Sequence, residues 1–235
     1  MNLILLFDED FLSATAVRLA GRRLEHVQGV HRAALGDELS VGRLGGRMGL
    51  GRITRLDSDC LEMEVVLDQP PPPKLPLTLV LALPRPKVLN RVLASATSLG
   101  VARIDLINAW RVEKSYWKSP RLSAENLQMQ RILGLEQAKD TVLPELRLHR
   151  LLRPFAEAEL PSITQGTLAL AAHPVAGMPC PRAVEQPVTL AIGPEGGFIP
   201  GEVELLVRCG FQPVSLGDRI LRVETAVAAL VARLY

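Results

Sequence analysis

The residues most able to do chemistry lie in the last third of this 235-residue chain. Ile192-Gly193-Pro194-Glu195-Gly196-Gly197-Phe198 follows an apolar run and precedes a stretch of helical period opened by Pro200. Its three glycines let backbone N–H groups come close to a ligand, as side-chain-bearing residues cannot. A tight turn from strand to helix would have the same composition. A dinucleotide site is disfavoured, because the spacing is not G-x-G-x-x-G and the loop stands far from the first strand of its domain. A second segment, Leu216-Gly217-Asp218-Arg219-Ile220-Leu221-Arg222-Val223-Glu224-Thr225-Ala226, also runs through glycine into a helical stretch. Its polar residues are dense for a chain ending, although Arg219 and Arg222 equally describe solvated helix-end charges and Glu224 a complement to a positive helix terminus. Leu170-Ala171-Ala172-His173-Pro174 reads as a third strand end. In open α/β sheets ligands bind at the carboxyl ends of the strands, so the three loops together define one candidate site.

Such loops need a sheet to hold them. Beyond residue 74, apolar runs of strand length alternate with stretches of helical period, the pattern of a mostly parallel sheet covered by helices. The runs predict strands at 77–83, 104–109, 167–172, 188–192 and 213–216, and helices at 87–99, 123–138, 200–209 and 223–234. Ser123 offers an N-cap, and Gly100 and Gly210 stand where helices end. Residues 1–70 differ: short runs at 2–6, 38–44, 49–57 and 60–67 are separated by turn signals, which favours a small β-barrel. Residues 12–34 do not alternate and predict short helical or irregular pieces. Between the halves stand Pro70-Pro71-Pro72-Pro73, which cannot donate ladder hydrogen bonds and favour an extended spacer. The domain boundary is therefore expected near residue 72, giving an α/β domain at 74–235 after a small β domain at 1–70.

Composition bounds the function classes. The chain is 48% hydrophobic and 22% charged, an ordinary globular profile. It has no charge-free apolar run of membrane-spanning length, and its apolar opening from Met1 meets Asp8, Glu9 and Asp10 with no basic lead-in. Neither a membrane span nor a secretory signal is expected. Cys60, Cys180 and Cys209 lie far apart, without metal-ligand spacing, and read as reduced thiols of a cytoplasmic protein that holds no metal. The net charge of +2 says little, but 14 basic and 8 acidic residues in 71–160 make the middle of the chain its basic part. Arginine outnumbers lysine 22 to 5, and guanidinium groups suit phosphate recognition.

The pair IGPEGGF and LGDRILRVETA, in that order, resembles the closing signature of the RsmE family, S-adenosylmethionine-dependent SPOUT methyltransferases that methylate N3 of a uridine in 16S ribosomal RNA of the small subunit. The resemblance extends over most of the chain. His26, Val30 and Arg32 match the family's H-x-x-x-V-x-R segment, Leu99-Gly100-Val101 the end of its first catalytic-domain helix, and Glu136-Gln137 its E-Q pair. It implies a PUA-like β-barrel for RNA recognition, a trefoil-knotted α/β catalytic domain, a homodimer and S-adenosyl-L-methionine as cofactor. Carried onto this chain, it assigns the cofactor to Leu170 and Ala172, to Ile192, Gly193, Pro194, Glu195, Gly196 and Gly197, and to Leu216, Gly217, Ile220, Leu221, Arg222 and Thr225. Uridine N3 must lose a proton before or during attack on the methyl group, which requires a base and a stabiliser of the uracil charge. Arg222 is the first choice for the stabiliser; Glu195 and Glu224 are alternative bases, and each could instead cap a helix or pair with an arginine.

Several positions depart from the family pattern. Gly29 replaces an arginine, the first strand lacks its usual arginine, Asp140 stands where a basic residue is usual, and Ala94-Ser95-Ala96-Thr97-Ser98 lacks the usual lysine and glutamate. The cofactor signature is thus better preserved than the RNA-facing one. Candidate RNA contacts are His26 and Arg32 together with Arg85, Lys87, Arg91, Arg111 and Lys114. With Lys118 and Arg121 these interleave with Trp110, Tyr116 and Trp117, a combination that suits unstacked RNA and equally describes a solvated face. Alternative functions are methylation of another RNA site and a non-catalytic RNA-binding assembly factor; a nucleotide-dependent oxidoreductase ranks lowest.

Overall fold

The computed structural model describes residues 2–174 and 178–235. Met1, where the apolar opening begins, and the side chain of Val30 lie outside the described part. The chain divides into two compact units, one of Met1–Pro73 with Ile132–Leu143, the other of Lys74–Arg131 with Pro144–Tyr235.

In the first unit the elements are β1 (Ile4–Leu6), β2 (Ala16–Leu19), α1 (Arg22–His26) continued by a π turn over Val27–His31, β3 (Glu38–Arg43), β4 (Met48–Leu56) and β5 (Leu61–Gln69). They form a five-stranded sheet in the order β1-β3-β4-β5-β2, with β1 parallel to β3 and the other pairs antiparallel. Among the described residues no ladder joins β1 to β2. Side chains alternate across a strand, so Ile4 and Leu6 enter the main core of this unit while Leu3 and Leu5 pack with Ile132 and Leu135. The expectation of irregular structure over 12–34 is corrected at β2, where Val17 and Leu19 are buried and Arg18 points out to pair with Glu62. Four residues of alternation are too few to be recognised without the partner strand β5.

The second unit holds β6 (Leu75–Ala82), α2 (Pro86–Ser98), β7 (Val101–Ile107), β8 (Glu145–His149), α4 (Leu152–Ala158), α5 (Leu160–Thr164), β9 (Leu168–Ala172), β10 (Val188–Ile192), α6 (Pro200–Arg208), β11 (Gln212–Val214) and α7 (Val223–Leu234). The helix α3 (Ala124–Ala138) begins in this unit, and its last turns belong to the first. All six strands are parallel, in the order β11-β9-β10-β6-β7-β8. Parallel strands covered on both faces read as continuous apolar runs, and Leu77, Leu79, Val80 and Leu81 of β6 are all buried. Each such side chain contributes about 1.5 to 3 kcal/mol. Leu89, Val92, Leu93 and Ala96 form one buried face of α2, whose neighbour is α7. The Ser123 hydroxyl accepts the Asn126 N–H at 3.2 Å, as an N-cap should.

Three elements were not expected. β8 lies at the sheet edge with mostly exposed side chains, so it carries no apolar run, and α4 and α5 are short segments each containing a proline. The buried Asp105 of β7 accepts hydrogen bonds from Arg103 at 2.7 and 3.0 Å and lies 2.8 Å from His149 Nε2. The contact with His149 ties β7 to β8 through a side-chain hydrogen bond as well as through the backbone ladder.

Candidate functional site

Register brings the three predicted loops to one level. Ile192 is paired with Ala172, and Ala172 with Val214, so β9, β10 and β11 end side by side. Just beyond them lies a cleft of about 200 Å³. Ala172 lines it from β9, and Ile192, Gly193, Glu195, Gly196 and Gly197 from β10 and its loop. Leu216, Gly217, Ile220 and Leu221 line it from the segment after β11. Of the remaining predicted cofactor residues, Leu170 and Pro194 are buried in the unit and Arg222 and Thr225 are exposed, none of them among the lining.

The lining also contains Ser215 and Leu230, which lie outside the predicted loops, and Arg219, Val223 and Ala226 of the second motif, which were not among the assigned cofactor residues; Val223, Ala226 and Leu230 make one face of α7. That face was available in the sequence, because positions three, four and seven apart share one side of a helix. His173 and Pro174 complete the wall beyond β9.

Two glycines are dictated by the backbone. A Cβ on Gly193 would lie 2.9 Å from Phe198 N and 3.1 Å from the Gly197 carbonyl carbon, because the loop folds back on itself through a turn in which Gly197 N–H donates to Pro194 O at 2.7 Å. Gly217 has φ +115°, which side-chain-bearing residues rarely adopt. The glycine run therefore shapes the loop as well as keeping it bare.

Polar ties from distant parts of the second unit fix the loops. Glu195 Oε1 accepts the Arg85 N–H at 3.0 Å. Arg111 packs its stem against Gly196 and donates from Nη1 to the Gly196 carbonyl. The buried Glu202 accepts the Trp110 N–H at 2.7 Å and the Ile199 N–H at 3.0 Å, capping α6 while holding the segment after β7. Glu224 Oε1 accepts from Arg91 Nη2 at 3.0 Å. Its own backbone N–H, then Arg91 and Arg222, hold the Glu224 carboxyl below the ordinary range against the opposing effect of burial. Arg222 is the N-cap residue of α7, and its guanidinium makes no ion pair or hydrogen bond among the described residues.

The predicted RNA contacts separate into engaged and available groups. Arg91 and Arg111 have the partners just described, whereas the side chains of Lys87, Lys114 and Arg85 are exposed and form no ion pair among the described residues. In the first unit His26 is half-buried and Arg32 is exposed with φ +51°. Glu136 is buried and bound by both Nη atoms of Arg22 at 2.8 and 2.9 Å, and Asp140 Oδ1 accepts the N–H groups of Thr141 and Val142. A carboxylate at 140 therefore closes the turn after α3. A side chain at 29 would meet open space.

Comparison with known proteins agrees with this geometry. Residues 71–235 match the family model for the RNA methyltransferase domain. The chain is 30% identical over 99% of its length to the ribosomal RNA small subunit methyltransferase E of Treponema pallidum, covering 90% of that protein. Its backbone is similar to that of the Neisseria gonorrhoeae methyltransferase E bound to S-adenosyl methionine, with TM-score 0.76, 24% identity and coverage of 99% and 95% of the two chains. It is also similar to a Legionella pneumophila structure with bound cofactor SAM, at TM-score 0.74, 25% identity and coverage of 98% and 94%.

Proposed function

The chain belongs to the RNA methyltransferase domain family and, within it, to the small-subunit ribosomal RNA methyltransferases E, and from that membership we propose that it methylates N3 of a uridine in 16S ribosomal RNA with S-adenosylmethionine as donor. The observation that carries this reading is the convergence of three loops, at one level of a parallel sheet, on a cleft with apolar walls. Those residues fit the cofactor. Ile192, Leu216, Ile220 and Leu230 offer apolar surface to a flat heterocycle, and backbone groups of Gly193, Leu216 and Leu221, which line the same cleft, would be its hydrogen-bond partners. When bound, S-adenosylmethionine supplies an electrophilic sulfonium methyl group.

The chain's own residues prepare the nucleophile. Arg222, free of ion pairs at the start of α7, stabilises the negative charge that develops on uracil as N3 loses its proton. Glu195 lines the cleft and is the better base. Glu224 is held in the charged form by its own amide and then by Arg91, which weakens it as a proton acceptor and gives it the role of positioning α7. The target base must enter the cleft unstacked, and in-line positioning then supplies much of the rate.

The same reading includes a PUA-like barrel at 1–70 for RNA recognition through His26 and Arg32, a knotted SPOUT catalytic domain at 74–235, a homodimer and a cytoplasmic location. The chain's passage from β10 across β9 to β11, with Ser215 N–H donating to Met178 O at 2.9 Å, supports a knotted arrangement there. No described helix is long and apolar enough to cross a membrane.

The test is incubation with labelled S-adenosylmethionine and either small ribosomal subunits or naked RNA from cells lacking the gene, followed by mapping of the modified nucleoside by mass spectrometry. N3-methyluridine at one site is the expected product. A different methylated nucleoside would move the reaction to another RNA position. Cofactor binding with no incorporation would favour a binding role in subunit assembly.

A further inference from the structure

The geometry points to Trp110 as a base-stacking residue, whose indole takes the face of a nucleobase flanking the one to be methylated. This rests on the methyl-transfer reading above and specifies how the RNA is gripped beside the cleft. Trp110 is 79% exposed, an unusual state for a ring whose burial is favourable. Its indole N–H makes no hydrogen bond among the described residues. Yet its backbone is fixed: its N–H is held by the buried Glu202, and the next residue, Arg111, is fastened to Gly196. An exposed ring on an anchored backbone is a preorganised platform and not a loose loop tip.

The other two aromatic residues of the segment are engaged. Trp117 donates its indole N–H to Asn108 Oδ1 at 2.9 Å, packs against the core and has Arg150 over its ring at 5.7 Å. Tyr116 packs against the core and donates its hydroxyl to Glu113. Trp110 also differs from Arg111's neighbour Gly196 in that it does not line the cleft. Trp110 stands outside the wall of the cleft, so the base adjoining the one to be methylated is the natural partner of its ring. Lys87 and Lys114, both exposed and without ion pairs among the described residues, supply charge for the backbone of such an unstacked segment. Stacking on an aromatic ring tolerates any base, so this grip does not depend on the RNA-facing positions at which the chain departs from the family pattern.

The experiment compares Trp110→Ala, Trp110→Phe and Trp117→Phe with the unchanged protein. Binding of a single-stranded oligoribonucleotide is followed by polarisation and by quenching of indole fluorescence, cofactor binding by calorimetry, and methyl incorporation on ribosomal RNA. Trp110→Ala should weaken RNA binding and raise the KM for RNA about 5- to 100-fold, with cofactor affinity unchanged. Trp110→Phe should retain most of both, and the quench should persist in Trp117→Phe while vanishing in Trp110→Phe. Wild-type RNA affinity and KM in Trp110→Ala, or a quench that follows Trp117, overturns the proposal. A change in the protein's association state with no change in RNA binding also overturns it, in favour of a protein contact. If the unchanged protein transfers no methyl group, the function above fails separately, and the quench in Trp117→Phe still decides the stacking role.

Discussion

The cleft of the second unit and the arginine-rich sheet of the first use charge in opposite ways. Residues 1–70 contain eight arginines. Arg18, Arg22, Arg23, Arg43, Arg52 and Arg55 pair with carboxylates, and Arg47 donates to Asp68 O at 2.6 Å. Arg32 alone makes no side-chain ion pair or hydrogen bond among the described residues. Around the cleft, Arg219 and Arg222 are likewise without ion pairs among the described residues, while the carboxylates Glu195 and Glu202 bind backbone N–H groups. The comparison teaches that counting arginines does not locate an RNA surface. Pairing does, because a cation already facing a carboxylate releases little counterion when a phosphate arrives.

The sharpest break in this comparison would come from Gly193→Ala. The added carbon forces the loop backbone to move, and displacements near 1 Å in a positioned site cost about 100-fold; calorimetry should show cofactor binding lost while circular dichroism stays native. Arg222→Ala should lower methyl transfer about 100- to 1,000-fold with cofactor affinity retained, and loss of both would make Arg222 a cofactor residue instead. In the first unit, Arg32→Ala should weaken RNA binding and reduce the salt dependence of log Kobs by about one. Arg52→Ala, which removes an arginine already paired with Glu38 at 3.2 Å, should leave both unchanged.

The smallest expected effect concerns acid. The backbone N–H groups of Asp59 and Cys60, followed by Arg55, hold the Asp57 carboxyl at about 2, below its usual 3.8. A depressed carboxylate stabilises the fold above its unfolded value and loses that contribution as pH falls through the folded one. Protection of the Asp59 and Cys60 amides, relative to free-peptide exchange rates, should therefore decline between about pH 4 and pH 2, and Asp57→Ala should remove the step.

The parts legible in the sequence share a physical basis. β10 and α7 were read with the bounds they have, since a strand buried on both faces and a helix with one apolar face announce themselves locally. β8 has mostly exposed side chains and β2 has four residues, so each is defined by its neighbour strand. Nothing local marks 132–143 as part of the first unit, because α3 is one unbroken helix. At the cleft, the glycines were readable because their requirement is local. The ties were not: Arg85 and Trp110 contribute backbone N–H groups, which every residue except proline possesses. Glu195 and Glu202 therefore gave no sign of their partners.

Those ties also make the cleft depend on segments far apart in the chain. The four bonds that hold it, Arg85 to Glu195, Arg111 to Gly196, Trp110 to Glu202 and Arg91 to Glu224, join residues 110, 85, 92 and 133 positions apart. Long loops must close before such contacts form, and chains rich in them fold slowly. The binding surface is thus complete only in a chain whose distant segments have been brought together, as the pairing of β10 with β6 also requires. A ligand of the cleft stabilises only molecules that have completed that assembly, so cofactor concentration would act on this chain as a selector of its finished state.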